Sequence, residues 1–373
     1  MARTNRTVLL GGGTEEEEEE AGEVAGERRR RRRSAGRFLA LPDHGATFPY
    51  PEDHPTNPGG WAYVINSEDE ADGGAGTLSF DRAGNTVGYR KVLSGTRQNC
   101  GGGRTPWGTW ISCEETRGRD GHIYEVDPFG RREGRRTSLG GRGGGRFESF
   151  AYDVRDRNVP RFYVTEDHER GPLRRYTPAD PDWDRPDEML HGKGETEYLV
   201  LGGSEGGRFE WVRDLAAGEE SAAEFFPAAE GIDCVGGELY FVSKVRRRLF
   251  QLDLDGGTFV SESTRDGAFT GGPDQLTRLV GKEDILYFTE DGSKHPGIHG
   301  RDASGRFFMI LESSAYGTLG DRVDETSGLA FSPDGRHLYF AFQKHGIVFD
   351  AWRTDGRPFS GRTIDIKYHN LQA

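Results

Sequence analysis

RFYVTEDHE (residues 161–169) and ILYFTEDGS (residues 285–293) align on a tyrosine that is followed by an apolar residue, then Thr, Glu and Asp. The same strand type returns as WAYVINSEDE from residue 61, GTWISCEET from 108, ELYFVSKV from 238 and HLYFAFQKH from 337. Aromatic and β-branched residues in short runs bounded by turn residues read as strands. Aligning Tyr63, Trp110, Tyr163, Tyr240, Tyr287 and Tyr339 gives successive gaps of 47, 53, 77, 47 and 52 residues. A period near 50 is the length of a four-stranded propeller blade. Several of these strands lead into a second, alternating one that turns at Gly or Asp-Gly, as hairpins do. The expectation is therefore an all-β chain folded as a six-bladed β-propeller, with a pair of β-sandwich domains as the competing architecture. The widest gap predicts one or two extra strands and a short helix over residues 214–224.

Composition agrees with many short strands. The chain has 373 residues, 56 of them Gly, with 33% hydrophobic residues and a net charge of −13. So low an apolar fraction disfavours stacked helical layers, and an acidic surface disfavours nucleic acid as a partner. No apolar run reaches the roughly 18 residues that a membrane span needs. Three cysteines, Cys100, Cys113 and Cys234, form neither an even disulfide framework nor a CxxC pattern. Residues 11–35 are a block of glutamates followed by a block of arginines, with little to bury. The domain reading is a low-complexity, disordered head over 1–35 that holds no strand, and a single propeller domain over 36–373. A monomer is expected, no export signal is read in the chain as written, and its compartment is left open.

The acids recur at two positions of the repeat. One set follows the aromatic strand: Glu68, Glu114, Glu115, Glu166, Asp167, Glu290 and Asp291. The other stands a few residues ahead of an apolar strand: Glu148, Glu230, Asp274 and Glu325. Any one of these, taken alone, is a solvated turn residue. Equivalent positions in a propeller gather around one axis, however, and crowded carboxylates repel unless cations neutralise them. Calcium, with six to eight oxygen ligands, suits such a site. Cys100 would add a softer ligand and with it a transition-type metal, against its plainer reading as a small buried residue.

The segment NCGGGRTPWGTWISCEE, residues 99–115, resembles the signature of the PhoX-type alkaline phosphatases. The resemblance continues through GGWAYVINSE, GRFESFAYD, YVTED, AAEGID, GGPDQL, LYFTEDG and ETSGLAFSPDGRHLYFAFQ, and so runs from about residue 60 to 350. It implies a six-bladed propeller that holds iron and calcium at its axis and hydrolyses a small phosphorylated substrate with the help of those metals. Carried over, Cys100 and Glu148 would ligate iron. Glu115 or Glu114, Glu230, Asp274 and Glu325 would ligate calcium or bridge metals. Arg104 and Arg146, which flank these segments, are candidate supporting cations.

Two departures stand out. Members of the family often carry His-Glu where this chain has RFES, although Glu148 keeps the glutamate's place. Phosphatases of the family carry Arg-Pro-Glu-Gly where residues 228–231 read Ala-Ala-Glu-Gly, so the phosphate-clamping arginine is replaced by Ala228. The alternatives are a non-catalytic, calcium-stabilised propeller and a lactonase or phosphotriesterase on the same scaffold.

Overall fold

The structure is a computed structural model that describes residues 6–8, 38–141, 143–265, 269–279, 282–292, 295–313, 325–359 and 367–368. At its centre are six strands: Pro42–Pro49, Asn99–Arg104, Phe147–Asp153, Ala229–Val235, Gly272–Leu279 and Thr326–Phe331. Each lies against the next, and the last returns against the first, so they close a ring. Each also pairs antiparallel with the aromatic strand that follows it in sequence: Trp61–Ser67, Trp110–Glu114, Arg161–Glu166, Glu238–Ser243, Lys282–Asp291 and His337–Phe342. Further antiparallel strands extend each pair outward, which makes the arrangement propeller-like and nearly all-β. Among the described residues, backbone hydrogen bonding joins the strands into three four-stranded sheets, one five-stranded sheet and one nine-stranded sheet. The nine-stranded sheet is continuous because Gly206–Val212 pairs along its edge with Thr258–Ser263. The expected helix spans Leu215–Phe225, and the Asp214 side chain caps it by accepting from the Ala216 N–H.

The head departs from expectation at one point. Arg6–Val8 form a strand that pairs with Val348–Asp350, placing a partner along the otherwise open edge of the last sheet. The rest of residues 1–35 lies outside the described residues.

The core is divided among the junctions between neighbouring sheets. Tyr63 and Tyr339, from the first and last sheets, stack at 4.9 Å, and Trp61 Nε1 donates to the Tyr339 hydroxyl at 3.0 Å. Ile111 and Cys113 pack with Phe147 and Phe162 at another junction, and Tyr163 packs with Leu239 and Phe241 between the two halves of the nine-stranded sheet. Cys113 is thus a core residue, and Cys234 packs at the edge of a core cluster. Apolar mass sits between sheets, which leaves the axis to polar groups.

All six inner strands begin with the same irregularity. Pro42 pairs with Ser67 and Gly45 with Ile65; Asn99 pairs with Glu114 and Gly102 with Ser112; the others slip likewise by one residue. Such a one-residue bulge kinks a strand and re-aims its side chains. In five strands the residue that opens the bulge is Asp43, Cys100, Glu148, Glu230 or Asp274.

The glycines after Cys100 answer to the closeness of this ring. A Cβ on Gly101 would collide with the Glu148 carbonyl oxygen, and one on Gly103 with that of Phe150. Gly101→Ala is therefore expected to lower unfolding stability by about 1–3 kcal/mol, the usual cost of overpacking. Denaturant unfolding of the two proteins measures it, and an unchanged midpoint would mean that the two strands separate freely.

Candidate metal centre

At the end of each aromatic strand two successive residues point to opposite sides, as strand alternation requires: Ser67 and Glu68, Glu114 and Glu115, Glu166 and Asp167, Ser243 and Lys244, Glu290 and Asp291, Phe342 and Gln343. In five of these pairs the first residue is polar and holds the local backbone together. Glu114 accepts from the Arg97 and His122 N–H groups at 3.1 and 2.9 Å. Glu166 accepts from the Arg174 guanidinium, and Glu290 from the Gly297 N–H and from His299 Nε2, both at 3.0 Å. Ser67 and Ser243 donate to the Ala40 and Pro227 carbonyls. The second residue faces the axis: Glu68, Glu115, Asp167, Lys244 and Asp291 all line one cavity there. Gln343, the sixth, donates to Asp43 at 2.6 Å and to Glu68 at 2.8 Å.

That cavity has a volume of about 270 Å³ and is also lined by Cys100, Arg146, Glu230, Asp274 and Glu325. Seven of its lining residues are carboxylates and two are cations, Arg146 and Lys244. Three groups bring ligand atoms within 4.8 Å of one another: Asp43, Glu68 and Cys100; Cys100, Glu115 and Glu148; and Glu148, Glu230 and Asp274. Glu148 belongs to two of them. It is fully buried, and neither of its carboxylate oxygens has a hydrogen-bond partner. A buried carboxylate left so is costly unless a cation meets it.

Electrostatics say the same. Burial, and then the neighbouring charges of Glu230, Asp43 and Asp274, hold the Glu148 carboxyl well above the usual carboxylate range. Burial likewise raises Glu230, Asp274 and Glu325, with nearby acids adding to it. Glu68 is pushed up to about 7 by burial and by Asp43. Burial and the same acids raise the Cys100 thiol, so it keeps its proton until a cation arrives. For Lys244 burial acts to lower the pKa, but Glu230, Asp167, Asp291 and Asp274 outweigh it and hold the ammonium charged. Hard carboxylate oxygens with one thiol among them fit calcium together with a softer transition metal. The bare oxygens of Glu148 are the specific sign of that fit.

Of the residues singled out from the sequence, Cys100, Glu115, Glu148, Glu230, Asp274, Glu325 and Arg146 come together here. Two do not. Glu114 is turned away to its backbone donors, which leaves Glu115 as the axial member of the pair. Arg104 ends the strand Asn99–Arg104, about 13 Å beyond Cys100 at roughly 3.3 Å per residue, and packs over the Phe48 ring at 5.0 Å. Arg146 instead pairs with Glu115 and lies 3.8 Å from Asp167. Asp43 and Lys244 are not singled out by the sequence. Pro42-Asp43 repeats Pro273-Asp274 at the same bulge and was legible as such; Lys244 was hidden because it reverses the charge at its repeat position.

Comparison with known proteins agrees with the resemblance read in the sequence. Residues 66–235 match the family model described as alkaline phosphatase PhoX. The structure of Pseudomonas fluorescens PhoX in complex with vanadate, a transition state analogue, is similar at a TM-score of 0.67 and 15% identity, covering 87% of this chain and 90% of that one. A gluconolactonase from Xanthomonas campestris gives a TM-score of 0.46 at 12% identity, covering 84% of this chain and 86% of that one. The nidogen/laminin complex gives a TM-score of 0.49 at 12% identity, over 75% and 85%. No curated protein matches the sequence. Among the described residues no helix is long and apolar enough to cross a membrane.

The raised carboxyl pKa values carry a sign. In the chelated protein the folded state retains protons that the unfolded chain has already released, so stability falls as pH rises from the ordinary carboxylate range towards 7. The melting temperature of chelated protein should therefore be higher at pH 5.5 than at pH 7.5. Millimolar calcium should restore most of the loss at pH 7.5, because a ligand of the native state adds stability by mass action. Equal melting temperatures at both pH values with chelator present would show that the axial carboxylates need no cation.

Proposed function

We propose that the chain is a metal-dependent phosphomonoester hydrolase built on a six-bladed propeller, with the nine-stranded sheet serving as two blades. The observation that carries this reading is the fully buried Glu148, bare of donors and shared by two groups of ligand atoms around the axis. The family match over residues 66–235 supports the phosphatase class.

In this reading Cys100, Glu115 and Glu148 hold iron, and Asp43, Glu68, Glu230, Asp274 and Glu325 hold calcium. When bound, the metals supply the positive charge that a phosphate dianion needs in an otherwise acidic cavity. The protein's own contribution is positional. The bulges bring their side chains to the axis, and the buried Glu114, Glu166 and Glu290 fix the turns from which the axial acids project. Arg146, half-exposed beside Glu115 and Asp167, is the guanidinium able to turn from its carboxylates to two phosphate oxygens as a fork. Ala228 offers no such donor. It has a positive φ of 53°, and its backbone is engaged with His168 and Lys244. Hydrolysis is accordingly expected to be slow. The same alanine favours the second reading, a propeller whose metals serve stability alone.

Purified protein loaded with iron and calcium should hydrolyse a simple aryl phosphate, lose the activity to chelator, regain it with calcium, and be inhibited by vanadate. Arg146→Met should lower kcat/KM about tenfold or more, on the scale of roughly 1.4 kcal/mol per tenfold. Arg104→Met, away from the cavity, should leave it unchanged. Stoichiometric metal with no turnover would establish the non-catalytic propeller instead.

A further inference from the structure

Lys244 breaks the charge pattern of the axial ring. The equivalent residues at the other aromatic strands are Glu68, Glu115, Asp167 and Asp291, with the neutral Gln343 as the sixth. Its ammonium lies 2.6 Å from Glu230, 3.2 Å from Asp167 and 3.3 Å from Asp291. Glu230 comes from the strand paired with its own, Asp167 follows an aromatic strand of the other half of the same nine-stranded sheet, and Asp291 comes from the five-stranded sheet. Three carboxylates from three neighbouring strand pairs thus converge on one cation, as they would on a metal ion. An ammonium presents three donors and one charge, and so can satisfy one oxygen of each.

We infer that the Lys244 ammonium stands in for a divalent cation, filling one position of the axial site with a covalently attached charge. This rests on the reading that the rest of the cavity holds divalent metals. The stand-in has two consequences. Glu230 is shared between the ammonium and the group it forms with Glu148 and Asp274, so the metals are confined to the side of Cys100 and Glu148. The site also holds one divalent ion fewer than its carboxylates could accept. The permanent charge keeps Asp167 and Asp291 in place when metal is scarce.

The test is metal content, with no recourse to activity. Native protein and Lys244→Met are equilibrated with calcium, freed of excess ion, and analysed by inductively coupled plasma mass spectrometry and calcium calorimetry. Lys244→Met should bind one more calcium per chain than native protein, lose more melting temperature than native protein on chelation, and recover more of it with calcium. Lys244→Arg, which keeps the charge, should hold the native count. Lys244→Gln, prepared with calcium present throughout, provides a second uncharged variant should the methionine variant not fold, and should also gain one ion. Equal calcium counts in native protein and both uncharged variants, with native protein binding metal, would overturn the inference and leave the metal-dependent reading standing. No divalent metal in any of the proteins would overturn both. One ion bound only by the uncharged variants would sustain the inference and sink the metal-dependent reading.

Discussion

Glu148 sits at the axis with no exposed surface and no donor for either oxygen, and the rest of the centre follows from that position. A carboxylate there must be protonated, paired or bound to a cation. Protonation relieves it, as the raised carboxyl shows, but at a cost in stability that grows as pH rises. Pairing is unavailable, because Arg146 is drawn to Glu115 and Lys244 to Glu230, Asp167 and Asp291. Bound cations remain. They would also lower the Cys100 thiol and relieve the acids of the two groups that share Glu148.

The fold makes this crowding unavoidable. Closing six strands into a ring brings their first residues within reach of one another, and in five of them a bulge turns the acid or thiol that opens it towards the axis. Apolar side chains cannot fill the centre, because the inter-sheet junctions already consume them: Tyr63 with Tyr339 on one side, Ile111 with Phe147 on another. Gly101 and Gly103 let the Cys100 strand come against the Glu148 strand closely enough for thiol and carboxylate to belong to one group. Packing outside and charge inside are therefore two sides of one arrangement.

A division of labour runs around the ring. At the ends of five aromatic strands, one polar residue holds the turn and the next addresses the cavity, so rigidity and chemistry are carried by neighbours in sequence. Glu114 and Glu115 show how little separates the two roles. Adjacent and chemically identical, one is tied to two backbone amides while the other meets Arg146 and forms a group with Cys100 and Glu148. Removing the first would loosen the second, which makes the structural acids part of the centre although they never reach it.

The repeat, its aromatic strands and most of the axial acids were legible in the sequence, because strand alternation and a period near 50 residues are local properties of the chain. The resemblance carried by residues 99–115 pointed to the PhoX family for the same reason, being a contiguous run. Other features waited for the tertiary structure. Which of Glu114 and Glu115 turns inward depends on a single step of register against Asn99. Whether Arg104 or Arg146 serves the cavity depends on which end of its strand or turn meets the axis. The pairing of Arg6–Val8 with the last sheet joins residues more than 300 positions apart, and no local pattern announces it. Lys244 is the sharpest case: as a residue type it looks like a solvated turn lysine, and only the closing of the ring brings carboxylates from three strand pairs around its ammonium.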